Sequence, residues 1–518
     1  MSLFRAIATV GSLTMLSRIA GFGRDLMIAR YLGAGPVADA FFVALRLPNF
    51  FRSLFAEGAF TAGFLPLFAG TEATEGREAA RGFAARALGI LLPVTLAFTV
   101  VAQIAMPAMI LVLAPGFVGD ATRFDLAVTL SIITFPYLVF ISIAALYGAM
   151  LNSVGRFAAM AGTPILLNVT MIAGLPLLSD HVGGPGHALA WSVLAGGIVQ
   201  FLWLSHSVHR AGLGLRLHRP KLDARIRRLF RLVLPAAFGA GATQVNLIVG
   251  LMLASLLPAG AVSYLFYADR LNQLTVGVVG VAIATALLPT ISAQLARGET
   301  EAAIANQNRA LEFGLLLSLP AAAALIAVPF PIISILFERG EFDAATAQAT
   351  ADALLAYAIG LPGYVLARSL TPSFHARQDT ATPVRLALVS IAVNLGGGAL
   401  LMQWLGHVGL ALATALAALV NTSLLGFVLH RRGHWRADAR LKSRAWRILA
   451  AALLMAAALV AADRLLLPGW YAGGDVLRLA ALALLVGGGM AVYLGAVLAF
   501  GGTRPAEWKT MLRRPKKT

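Results

Sequence analysis

Arginines and carboxylates stand inside long apolar runs, where a chain can least accommodate them. Arg18, Arg24 and Asp25 interrupt the first run. Asp39, Arg46, Arg52 and Glu57, with Asn49 beside Pro48, interrupt the second, and Asp269 and Arg270 interrupt the eighth. An arginine at the centre of a membrane helix costs about 2.5–3.5 kcal/mol even on a lenient insertion scale, so Arg18, Arg24, Arg52 and Arg270 facing lipid would together cost roughly 10–14 kcal/mol. They must face a wet cavity or pair with acids. A guanidinium stays charged at physiological pH and presents a planar fork that matches phosphate oxygens. A cavity carrying these four therefore suits a pyrophosphate or another polyanionic headgroup. The plainer alternative is that each arginine is structural glue for Asp25, Asp39, Glu57 or Asp269. Arg46 fits that alternative best, because Asp39 lies seven residues back on its face.

Helical geometry sorts the second run further. At about 100° per residue, Asp39, Arg46, Ser53 and Glu57 fall within about 40° of one stripe. Arg52 falls off that stripe on a straight helix, but Pro48 interrupts the phase. Gly21 and Gly23 loosen the first run in the same way. Broken helices are tolerated at membrane depth where they line a cavity rather than lipid.

The elements that must position these residues follow from composition. Hydrophobic residues make up 59% of the 518 and charged residues 12%, about half the share of a soluble domain. The chain is predicted to be an all-α integral membrane protein with about fourteen spans, near 5–32, 37–69, 80–112, 124–152, 157–179, 187–209, 229–257, 262–296, 308–336, 348–376, 383–404, 408–430, 445–466 and 476–500. The first apolar stretch runs into Ser17–Asp25 without a small-residue cleavage site, so it reads as a span rather than a signal peptide. With the N-terminus inside, most of the 41 Lys+Arg fall on the inner side, including Arg219, Arg227, Arg436, Lys442, Arg513 and Lys516. That asymmetry is the positive-inside signature, and both termini are expected in the cytoplasm. The basic loops then serve topology and anionic lipid headgroups, not nucleic acid.

An internal repeat recurs after about 225 residues. Ala34-Gly35-Pro36-Val37 before Phe41-Phe42 is answered by Ala259-Gly260-Ala261-Val262 before Phe266-Tyr267. Leu65-Pro66 is answered by Leu288-Pro289, Pro136 by Pro362, and Thr163-Pro164 by Thr382-Pro383. The organisation expected is an N-lobe over 1–210, a basic linker over 211–228, a C-lobe over 229–432, a basic loop over 433–444, two further helices over 445–500 and a basic tail over 501–518. Parallel repeats of this kind place a transport site between lobes near the midplane.

Other constellations are weak. There is no cysteine, which removes disulfides and thiolate chemistry. His206 and His209 sit at a membrane edge, where interfacial packing explains them better than a metal. There is no Walker A sequence, and no catalytic constellation or metal-binding set stands out, so no enzyme activity and no cofactor are expected.

Several stretches together resemble the MurJ (MviN) lipid II flippase family. They are Ser17 through Asp25, the run from Asp39-Ala40-Phe41-Phe42 through Arg46-Leu47-Pro48-Asn49 to Leu54–Phe60, Tyr267-Ala268-Asp269-Arg270-Leu271, and Phe374 through Pro383. The resemblance covers nearly the whole chain and is weakest in the last two helices. It implies the fold of the multidrug/oligosaccharidyl-lipid/polysaccharide exporter superfamily. It also implies alternating access that carries lipid II, the undecaprenyl-pyrophosphate-linked peptidoglycan precursor, from the cytoplasmic to the periplasmic leaflet of the bacterial inner membrane. By matching motif, Arg18, Arg24, Arg52 and Arg270 take the substrate role. Asp25, Asp39, Asn49, Glu57 and Asp269 take cavity and gating roles, and the two extra helices form a groove for the lipid tail. The alternative kept open is a flippase or exporter of another lipid-linked glycan.

One departure concerns coupling. Some relatives carry sodium-binding acids at positions nearest Asn246, Asn394 and Gly398, with Thr414 alongside. Amides and a glycine stand there instead. Asn246, Asn394 and Thr414 remain a candidate ion site, and membrane potential acting on the charged helices is the coupling expected in its place. Flipping that persists unchanged after the potential is collapsed would remove that expectation. The expected partners are lipid II, membrane phospholipids and cell-wall synthesis proteins, with the chain itself a monomer.

Overall fold

In a lipid core every backbone N–H and C=O must be satisfied within its own segment, and helices do this locally. The computed structural model describes residues 3–52, 59–216, 220, 222–471 and 473–503, and these form helices joined by short turns. Glu57 and most of the basic tail lie outside the described residues.

The first half comprises α1 (Leu3–Leu32), α2 (Pro36–Arg52), α3 (Ala59–Glu75), α4 (Arg77–Ile104), α5 (Met106–Leu113), α6 (Ala121–Thr134), α7 (Tyr137–Ser153), α8 (Phe157–Ala161), α9 (Thr163–Leu178) and α10 (Pro185–Arg210). The second comprises α11 (Ala224–Ser255), α12 (Ala261–Ala296), α13 (Thr300–Ala327), α14 (Pro329–Phe337), α15 (Ala344–His375), α16 (Ala381–Arg431), α17 (Ala439–Leu465), α18 (Pro468–Tyr471) and α19 (Asp475–Ala499). Among the described residues nine stretches are long and apolar enough to cross a membrane, with α16 counted once. Gly406, at φ 55° and ψ −131°, breaks the 51 residues of α16 into two spans. With α1, the α2–α3 pair, α11 and α12, the set reaches the fourteen expected. Among the described residues four helices begin on an aspartate that accepts a backbone N–H of the first turn: Asp120, Asp223, Asp343 and Asp438. Such caps satisfy donors that helix starts leave orphaned.

Packing divides the chain into two compact units. The first is Met1–Ser263 with Arg339–Phe342, and the second is Tyr264–Glu338 with Asp343–Thr518. By packing, then, α11 belongs with the first unit, although by sequence it opens the second repeat. In the first unit α10 packs on α7 and α9, α2 on α6, α1 on α9, and α3 on α11. Phe60, Phe64, Phe68 and Phe83 stack at centroid spacings of 5.3–5.6 Å between α3 and α4. In the second unit α15 packs on α16 and α13, and α17 on α13 and α19. Gly360 and Gly363 lie so close to Ala415 and Ala418 that a Cβ at either would meet backbone, the small-residue packing through which membrane helices approach. Tyr493 of α19 donates to the Leu316 carbonyl of α13 at 2.6 Å, inside a cluster with Ile448, Met455 and Leu459 of α17.

Candidate functional site

The two adjacent charges on α1 form one polar cluster with α9. Arg24 is 9% exposed and Asp25 fully buried. The guanidinium donates from Nε (3.0 Å) and Nη2 (2.6 Å) to Asp25 Oδ1, and from Nη1 to Asn168 Oδ1 at 3.1 Å. Asn168 Nδ2 in turn donates to the Ser17 carbonyl at 3.2 Å. A guanidinium carries five N–H donors, so these bonds fix its orientation and leave it capacity for an incoming oxyanion. Asn168 was not among the residues singled out from sequence. The available signal is a lone amide inside an apolar span.

Asp39 meets different partners from those its stripe suggests. It is fully buried and accepts from Gly260 N (2.7 Å), Ser263 N (2.9 Å) and Ser263 Oγ (2.6 Å), with Arg123 Nη1 3.9 Å away. The carboxylate thus covers the start of α12, where backbone donors are orphaned and the helix dipole favours negative charge. Arg123 donates from Nε to Asp120 Oδ2 at 2.9 Å and lies 4.8 Å over the Phe117 ring. Ser263 and Arg123 escaped sequence reading because each reaches its partner across the fold. Arg18, Arg46, Asn49 and Arg52 are half-buried on α1 and α2.

In the second unit, Asp269 and Arg270 are half-buried on α12, and Gln273 donates to Asp269. Of the candidate ion positions, Thr414 Oγ1 donates to Asn394 Oδ1 at 3.1 Å, joining the two halves of α16. Asn246 lies on α11, with its side chain outside those described. Among the described residues no three His, Asp or Glu converge as metal ligands would. An apolar cavity of about 760 Å³ opens between α13, α15 and α17, lined by Leu319, Ile326, Ile359, Pro362 and Ala457, with Arg464 at one end.

The geometry can be set beside known proteins. The family described as "Lipid II flippase MurJ" matches residues 28–481. A probable lipid II flippase MurJ of Rhizobium meliloti (strain 1021) is 42% identical over 522 residues, covering 100% of this chain and 97% of that protein. The lipid II flippase MurJ of Burkholderia cenocepacia is 37% identical, covering 84% of this chain and 85% of that protein. The solved structure "Lipid II flippase MurJ, inward closed conformation" superposes with a TM-score of 0.78 at 26% identity, covering 97% and 99% of the two chains. An inward-facing multidrug resistance MATE family transporter shares the fold at a TM-score of 0.68 and 16% identity, covering 84% of this chain and 99% of that one. Matched from end to end by such relatives, this multi-pass membrane protein belongs to the lipid II flippase MurJ family, whose members are transporters rather than enzymes.

Proposed function

We propose that this chain moves lipid II, the undecaprenyl-pyrophosphate-linked peptidoglycan precursor, from the inner to the outer leaflet of the bacterial cytoplasmic membrane by alternating access. The observation that carries this reading is Arg24. It is a buried guanidinium within a membrane span, held in one orientation by Asp25 and Asn168 with donors to spare. A bidentate donor in a water-poor setting is the group best matched to a pyrophosphate oxygen. Arg18 and Arg52 in the first unit and Arg270 in the second are each assigned to the same anionic group. Asp25, Asp39, Asn49 and Asp269 tune their positions. The apolar cavity against α17 suits the isoprenoid tail, which needs apolar lining and no polar partner. The excess of Lys and Arg in the loops assigned to the side of both termini supports a cytoplasmic position for those termini.

The test is exposure of lipid II headgroups on the outer face of membrane vesicles, with protein level and insertion controlled. Wild type is expected to expose lipid II. Arg18→Ala, Arg24→Ala, Arg52→Ala and Arg270→Ala variants that insert normally are expected not to. Normal flipping by all four would remove the site assignment, and no flipping by wild type would remove the substrate.

A further inference from the structure

The apolar cavity between α13, α15 and α17 ends at a guanidinium. Small side chains hollow its floor, Ala323, Ala358, Ala456 and Ala457 among them, and it follows one stripe of α17 from Leu449 to Arg464 and Leu465. At 1.5 Å per residue that stripe is about 24 Å long. One leaflet is half of a bilayer core, about 15 Å deep. The groove is therefore longer than one leaflet, and the acyl chain of a phospholipid confined to a leaflet leaves part of it empty. An undecaprenyl chain is long enough to fill it. Leu453 and Leu465 on its rim are exposed, so the groove opens sideways to lipid rather than closing around a soluble ligand.

Arg464 stands in the last turn of α17, where the helix dipole favours a cation. It is exposed, and among the described residues its side chain has no hydrogen bond or ion pair. Asp463, its neighbour in sequence, accepts from the Tyr471 hydroxyl at 2.6 Å instead. Two other arginines that the alternation of spans places on the same side are engaged. Arg123 donates to Asp120 at 2.9 Å, and Arg478 donates to Ser334 Oγ at 2.8 Å with Glu338 at 3.4 Å. A guanidinium without an acid of its own, at the mouth of an apolar groove, matches a lipid that begins with an anion and continues as hydrocarbon. Its planar fork suits the oxygens of a pyrophosphate.

We propose that Arg464 is a receiving site for the product: once lipid II has crossed, its pyrophosphate rests on this guanidinium while its undecaprenyl tail lies along the groove. The inference rests on the lipid II reading and on the cytoplasmic placement of the termini, which puts the C-terminal end of α17 on the outer face. It gives the anion two stations, Arg24 for a headgroup in transit and Arg464 for one that has arrived.

The test uses the full chain in discs of zwitterionic phosphatidylcholine. The probe is undecaprenyl pyrophosphate whose terminal phosphate carries a photoreactive diazirine ester, as lipid II carries its sugar there. Illumination is expected to label residues around 464, mapped by peptide mass. Arg464→Gln is expected to lower that labelling at least about fivefold, and Arg464→Lys to lower it less, since charge is kept and only the fork is lost. Ala457 is exposed in the groove, so Ala457→Phe fills the groove without disturbing buried packing and is expected to lower labelling as much as Arg464→Gln. Unlabelled undecaprenyl pyrophosphate should compete. Farnesyl pyrophosphate, too short to fill the groove, should compete at least about tenfold less well, because fewer buried methylene groups hold it. Inorganic pyrophosphate and phosphatidylglycerol should not compete. Labelling that survives Arg464→Gln unchanged overturns the proposal. So does labelling that phosphatidylglycerol removes as readily as undecaprenyl pyrophosphate does, which would make the groove a seat for ordinary anionic phospholipid. If wild type flips no lipid II yet labels around 464, the transport reading fails and the pyrophosphate site stands. If it flips lipid II and nothing labels around 464, the transport reading stands and this site falls.

Discussion

Arg24 and Glu312 are both buried ions in a membrane protein, and they keep opposite company. Arg24 meets one carboxylate and one amide within a span of the first unit. Glu312, in the second unit, meets three guanidiniums. Arg309 and Arg444 donate to it closely, and Arg440 donates from Nε at 3.2 Å and Nη2 at 3.3 Å, while Arg309 also binds Asp438. Asp438 caps α17, so the second cluster ties the start of that helix to α13. The first cluster has spare donors at membrane depth, while the second has its carboxylate saturated at a helix start. The lesson is that charge inside this protein divides by stoichiometry. A cation with few fixed partners can still receive a substrate, whereas an anion surrounded by cations can only fasten.

The sharpest way to break that contrast is to neutralise Arg24 and its counter-ion together. Arg24→Gln alone is expected to cut lipid II flipping at least tenfold, equivalent to about 1.4 kcal/mol or more. If Arg24 merely balances Asp25, the double variant Arg24→Gln, Asp25→Asn would restore flipping, because both charges of that pair are removed together. If Arg24 receives the anion, the double variant stays inactive while inserting normally. Initial flipping rates per inserted molecule separate the two.

Glu312 should behave in the opposite way. Glu312→Gln leaves Arg309, Arg440 and Arg444 crowded without their shared acceptor, and removing one partner of a buried ion pair costs about 3–5 kcal/mol. The expected outcome is a lower thermal midpoint in detergent and lower abundance, with flipping per folded molecule close to wild type. A variant that keeps its midpoint but loses flipping would move this cluster from fastening to transport.

Much of this arrangement was legible in the sequence, for physical reasons that can be named. Apolar run length gave the spans, since a bilayer sets the length of a helix, and the break between 404 and 408 was visible because Gly406 stands between two runs. The repeat was visible through prolines and glycines, whose backbone effects tolerate little substitution. In-membrane charge was visible because lipid makes it expensive. What escaped was partner choice. Arg24 and Asn168 are 144 residues apart, and Asp39 and Ser263 224 apart, so only packing decides who meets whom. The stripe pointed from Asp39 to Arg46, whereas the Asp39 carboxylate is taken up by the first turn of α12.

The smallest expected effect extends the contrast to a neutral partner. His434 lies in the loop before α17, where burial, then Arg377 and Arg432, hold its imidazolium below the usual range, opposed weakly by Asp379. The folded state therefore binds a proton less readily than the unfolded chain. Stability contributed by neutral His434 is present above about pH 6.5 and is lost as pH falls below that value toward the depressed folded one. Because the residue is partly exposed and its neighbours are screened, the loss is less than about 1 kcal/mol. The thermal midpoint should fall slightly between pH 7.5 and 5.5, and His434→Gln should flatten that part of the profile. A His434→Gln variant with an unchanged slope would assign the acid sensitivity elsewhere and leave the cationic loop tolerant of one more charge.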